Sequence, residues 1–148
     1  MNDRNSIAIS ILRTSDAANL ETMWRDLEQR ATPRFMMSWS WIGAWVETQL
    51  YDIESYVVVI ERNGTPIGLA IFVVEMVQLA KGISVNCLHF HKTGQVSRDL
   101  ICIEHNEILS ERGQEKVVTQ ACIDFLLDNS NLPEPVRGWE CINIGMIS

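Results

Sequence analysis

The chain has 148 residues, 47% of them hydrophobic, enough for one domain with a full core and too few for two ordinary ones. Its formal net charge of -7 repels phosphate backbones and anionic lipid, which argues against nucleic-acid and membrane-surface partners. No apolar run reaches membrane-spanning length and the first five residues lack the apolar core of a signal peptide, so a cytoplasmic protein is expected.

Residues 6–13 alternate Ile7, Ile9 and Ile11 with smaller or polar residues, the period of a half-buried strand. Ser15 or Asp16 then caps a helix to about Arg30, with Leu20, Met23, Trp24 and Leu27 at helical spacing. Past Pro33, Ser38 is placed to cap a second helix to about Leu50, in which Trp41 and Trp45 lie one turn apart on one face. Glu47 is the only charge in that helix, so it suits a core position, and its Trp rings read as core packing ahead of ligand stacking. Residues 55–61 form a strand built on Tyr56, Val57, Val58, Val59 and Ile60. Asn63-Gly64 signals a hairpin, because both residues tolerate positive φ, and the strand over 66–77 that follows is apolar on both faces, hence central. Strands are expected over 83–91 and, after the loop around Lys92, Thr93, Gly94 and Gln95, over 99–104. A long helix starts near Ser110, with Val117, Ala121 and Phe125 beside Val118, Cys122 and Leu126 at one-turn intervals. Residues 129–135 read as a turn or linker, and 139–147 as a last strand.

The order of strand, two helices, hairpin, further strands, long helix and strand resembles that of a GNAT acyltransferase. More closely, Phe35-x-x-Ser38-Trp39-x-Trp41-x-x-x-Trp45 resembles the second-helix signature of the GNAT-type family associated with bacterial cellulose biosynthesis. His91-Lys92-Thr93-Gly94, the run from Ile103 to Leu109, and the closing Trp139-Glu140-x-Ile142-x-Ile144 are similar to further parts of that family. The resemblance implies an α/β (α+β) domain over residues 1–148, with a mixed, largely antiparallel sheet flanked by helices. It also implies that the chain matches an amino-terminal half and lacks the carboxy-terminal strands of a full GNAT domain. A second GNAT-like lobe, or another copy of the chain, is then the expected partner at the sheet edge near the carboxy terminus, where Ile142, Ile144 and Met146 are apolar.

Among GNAT enzymes acyl-CoA lies where two strands splay apart, its pyrophosphate on backbone N–H groups at the start of the next helix. The matching turn here holds Arg112, Gly113 and Gln114, the candidate cofactor-binding residues for acetyl-CoA or another acyl-CoA. Only one glycine is present, and Glu111 and Glu115 place carboxylates where a pyrophosphate would sit, so binding by this chain alone is expected to be weak or absent. Glu104 is the candidate general base for the attacking amine or hydroxyl. His105 points to the opposite strand face and cannot enter the same cleft, whereas Thr93, Gly94 and Asn106 are the substrate-cleft candidates. His89 and His91 are read as a hydrogen-bonded pair at a strand end; two ligands are too few for a metal, and none is expected. Cys87, Cys102, Cys122 and Cys141 form no C-x-x-C pair and read as buried, inert thiols.

Two functions follow from these expectations. One is an N-acyltransferase (acetyltransferase) lobe of cell-envelope or exopolysaccharide chemistry that works with a partner half. The other is a catalytically silent GNAT-like module for assembly.

Overall fold

The computed structural model describes residues 6–100, 107–128, 132–134 and 136–143. Nine elements follow one another: β1 (Ile7–Arg13), α1 (Leu20–Arg30), α2 (Trp39–Gln49), β2 (Ser55–Arg62), β3 (Thr65–Ala80), β4 (Ile83–Phe90), β5 (Leu109–Ser110), α3 (Glu115–Leu127) and β6 (Cys141–Asn143). They build one six-stranded sheet in the order β1-β2-β3-β4-β6, with β5 also paired to β3. Every pairing is antiparallel except that of β4 with β6. The expected mixed, largely antiparallel sheet flanked by helices is therefore present.

Asn63 and Gly64 both adopt positive φ, 54° and 75°, the conformation that matches a two-residue turn to the twist of β2 and β3. The two-faced apolarity of β3 is explained by what covers it. Leu69, Ile71 and Val73 pack with Val57 and Val59 beneath α1 and α2, through Trp24, Leu27, Ile42 and Trp45. Ala70 and Phe72 pack with Val58, Ile60, Leu88 and Phe90 beneath α3, through Val118, Cys122 and Leu126.

Several elements differ from the sequence reading. The chain makes a short 3-10 turn over Thr14–Asp16 and starts α1 only at Leu20, with no side-chain cap. Ser38 does stand at the N-cap of α2, but its hydroxyl donates to Phe35 O (2.6 Å). The α2 N-terminus is satisfied from α1, where Glu28 Oε2 accepts from Trp39 N–H (2.9 Å). Asp99 and Leu100 lie in a turn, and the rest of the expected 99–104 strand falls outside the described residues. Ser110 belongs to β5, so the long helix starts at Glu115. Of the last expected strand, Cys141–Asn143 is described.

The cysteine reading also needs correction. The parallel register of β4 and β6 sets Cys87 opposite Cys141, and the two are joined in a disulfide 54 residues apart in sequence. Cys122 remains a free, buried thiol on α3, and burial pushes it up to about 12. Among the described residues no helix is long and apolar enough to cross a membrane.

Two predictions follow from this packing. Trp24 is fully buried and donates its indole N–H to Met37 O (2.8 Å), whereas Trp41 is only half-buried. In urea melts, Trp24→Ala is expected to cost about 3–5 kcal/mol and Trp41→Ala about 1–2 kcal/mol. Cys141→Ser, which opens the large loop closed by the disulfide, is expected to cost about 3 kcal/mol in oxidising buffer and nothing further once a dithiol reductant is added.

Candidate functional site

β3 is twice as long as β4, and two separate strands share its outer edge. β4 covers the carboxy-terminal part, ending with Phe90 opposite Phe72, and β5 covers the amino-terminal part, with Leu109 opposite Leu69. His91 sits at the seam with φ 45°. Its N–H donates to Ile71 O (2.9 Å), and its Nε2 accepts from Ile71 N–H (3.1 Å), so an imidazole stands where a strand carbonyl would otherwise be. Nε2 is thus the unprotonated nitrogen of the ring in this contact. The edge resumes past β5, where Glu111 N–H donates to Ile67 O (2.9 Å).

This arrangement brings the ends of β4, β5 and β6 together against the flank of α3, where they enclose a cavity of about 260 Å³. Phe90, Ile108, Cys122, Leu126 and Ile142 supply apolar walls. Glu107, Ser110, Glu115 and Thr119 form its polar end, beside the first turns of α3. A larger hollow of about 730 Å³ lies between β1 and α3, away from the strand ends; it is open to solvent and bordered by Asp124 and Asp128. The smaller cavity is the candidate site because it is mostly apolar and framed by four elements beside the parallel β4–β6 pair.

At the start of α3, Gly113 takes φ 80° and its N–H donates to Glu115 Oε1 (3.0 Å). Hydrogen bonds from the backbone of Glu115 itself, and then from Gly113, hold the Glu115 carboxyl below its ordinary value. The turn that the sequence singled out for a pyrophosphate therefore already carries an anion of its own. Gln114 stands at the N-cap position, and its N–H donates to Glu111 O (2.9 Å). Arg112 turns toward the α1 end: its N–H donates to Arg30 O (3.0 Å) and its Nε to Thr32 Oγ1 (3.0 Å). Arg30 in turn pairs with Glu111 and Asp26 and donates to Pro66 O, which ties α1 to the turn before α3.

Thr93 and Gly94 belong to the other face of the sheet. Asp99 accepts from Thr93 N–H (2.7 Å), Thr93 Oγ1–H (2.8 Å) and Gly94 N–H (3.0 Å), closing a compact loop. Arg98 anchors that loop to the end of α2 through Asp52 (2.5 Å) and Gln49 O (2.9 Å), with its guanidinium over the Tyr51 ring. Gly94, at φ 80°, lies directly against the His89 imidazole, and any Cβ there would crowd Nε2. Glu104 and Asn106, the candidate base and one cleft candidate, lie outside the described residues.

His89 and His91 do not form one binding pair. His91 packs edge-on to Trp24 and Phe90, while His89 Nδ1 lies 3.4 Å from Asn143 Nδ2 across the parallel pair of β4 and β6. His89 is 4% exposed, and its Nε2 has no hydrogen-bond partner among the described residues. Sequence reasoning missed the placing of His89 beside Asn143, because it depends on the β4–β6 register. No group of three or more His, Cys, Asp or Glu side chains suited to a metal occurs among the described residues.

Comparison with known proteins gives the class of fold. The chain is similar to the solved ribosomal-protein-alanine N-acetyltransferase from Brucella melitensis biovar Abortus 2308, with a TM-score of 0.53 and 17% identity over 95% of this chain and 80% of that one. At that identity the likeness is one of architecture, and it defines a GNAT-like α+β fold. No family model matches the chain, and no curated protein matches it.

A pH dependence follows from His89. Burial lowers its pKa from the ordinary 6.5, with Asp99 and Glu75 partly opposing and Lys92 reinforcing the shift. Because the folded value lies below the unfolded one, the unfolded chain takes up the proton more readily as pH drops below about 6.5, and stability falls. The urea midpoint is expected to decrease between about pH 7.5 and about pH 5, and His89→Gln to flatten that part of the profile.

Proposed function

We propose that this chain is a GNAT-type N-acyltransferase lobe that receives the acyl arm of a donor thioester in the cavity between α3 and the ends of β4, β5 and β6. The cavity carries the reading: it is apolar, and it lies at the parallel β4–β6 pair, with the first turn of α3 at its polar end. The fold likeness to an N-acetyltransferase supports the same class of chemistry. The family-like tryptophan helix supports an acceptor drawn from cell-envelope or exopolysaccharide chemistry. β6 lies at the outer edge of the described sheet with Ile142 partly exposed, which supports pairing there with a second GNAT-like lobe or a second copy.

In this reading, Gly113 offers the donor its backbone N–H at the turn before α3, Gln114 shapes that turn from the N-cap with its own N–H on Glu111 O, and Arg112 fixes the turn to α1. Glu115 competes with the donor. Its carboxylate holds the Gly113 N–H, so a diphosphate must displace it and overcome its charge. That same contact favours the second reading, a catalytically silent module in which the helix start is permanently self-capped.

Calorimetric titration with acetyl-CoA separates the two readings. The expected result is a dissociation constant weaker than micromolar for the wild type and about tenfold tighter binding for Glu115→Gln, equivalent to about 1.4 kcal/mol. Acetylation of an amine acceptor by the variant in the presence of acetyl-CoA would strengthen the transferase reading. Absence of binding by both proteins would favour the silent module, whereas micromolar binding by the wild type would show that Glu115 is no obstacle.

A further inference from the structure

Resting on the donor reading above, the geometry points to a selectivity for the acyl group: we propose that the cavity takes a medium-length acyl chain of about eight carbons, presented as a thioester, in preference to acetyl. The argument begins with volume. A cavity of about 150 Å³ lined by apolar side chains is enough to hold benzene, and a water molecule, with its single heavy atom, takes about 30 Å³ in the liquid. The 260 Å³ beneath α3 therefore has room for about eight heavy atoms. An acetyl group would leave most of that space without contacts, which a close-packed interior disfavours.

The second step is polarity. Phe90 at the end of β4, Ile108 before β5, Cys122 and Leu126 on α3 and Ile142 on β6 offer the chain only apolar atoms. Cys122 behaves here as a small hydrophobe, because its buried thiol is held neutral. The polar atoms gather at the other end, and two of them are already engaged: Ser110 Oγ donates to Ile108 O (2.9 Å), and Glu115 accepts from Gly113 N–H. The third step is charge. Glu107 and Glu115 flank the polar end and repel a free carboxylate, so the chain enters joined to a neutral thioester and not as a fatty-acid anion.

The test uses S-acyl pantetheines, which carry the thioester without a diphosphate and so remove Glu115 from the comparison. Each buried methylene adds about fourfold in affinity when fully enclosed; for a partly open cavity, octanoyl-pantetheine is expected to bind about 30-fold tighter than acetyl-pantetheine. Ile123, 40% exposed at the rim, tolerates a larger ring, and Ile123→Trp is expected to bring the two ligands within about threefold of each other while leaving the circular dichroism spectrum unchanged. Thr119→Phe, at another exposed position of the same rim, provides an independent block should the first variant perturb folding. Equal affinity for the two thioesters, or an octanoyl preference that survives both rim variants, overturns the chain-length selectivity and leaves the donor reading standing. Failure of both thioesters to bind the wild type overturns the donor reading and this inference with it.

Discussion

The outer edge of β3 is the constraint on which the rest of the molecule depends. A central strand buried on both faces has no water to satisfy its N–H and C=O groups, so each must find a partner within the protein. β4 serves one part and β5 another, and at Ile71 the partner is His91, which answers the carbonyl with its backbone and the N–H with its ring. Once that edge is complete, the direction of the chain past Ser110 is fixed, and α3 is laid across the face opposite α1 and α2. The cavity is the space left where the strand ends meet that helix.

The two faces of the sheet have separate chemistry. On the α3 face the surroundings are apolar, and the polar atoms gather at Glu107, Ser110 and the first turns of the helix. On the other face, His89 is buried against Gly94, next to Asn143 and beneath a loop closed by Asp99. β4 and β6 contribute to both, β4 through Phe90 and His89 and β6 through Ile142 and Asn143, and the disulfide holds the two strands in register. The α3 turn shows the same economy of local charge. Glu115 satisfies a donor that would otherwise face solvent, which stabilises the helix start and at the same time sets a threshold for any phosphate-bearing ligand.

Much of the fold was legible from local pattern, since the signals lay within a few residues of one another. Asn63-Gly64 announced its turn through backbone freedom, and β3 announced its central place through apolar residues on both faces. Val118, Cys122 and Leu126 announced the buried stripe of α3 through one-turn spacing. What escaped notice depended on distant partners. Two-residue β5 is too short to carry a period. The cap from Glu28 to Trp39 requires α1 and α2 to be docked, and the pairing of Cys87 with Cys141 requires knowing which strands are neighbours. His91 looked like one of a pair with His89 because alternation assumes a continuous strand, yet the positive φ at His91 ends it. The acids at the start of α3 were visible as acids. Their occupation of the Gly113 N–H was a matter of geometry.

The seam at His91 has a consequence for how such a chain can change. The segment between His91 and Leu109 leaves and rejoins the same edge of the same strand, so both of its ends are held by β3 whatever lies between them. The entropy of closing a loop grows only logarithmically with its length, so the segment can lengthen at small cost to stability provided the anchors at Thr93, Arg98 and Asp99 are kept. The length of the segment is thus independent of the register of the sheet. Variation among descendants of this fold can accumulate in it while β3, α3 and the register of the sheet stay as they are.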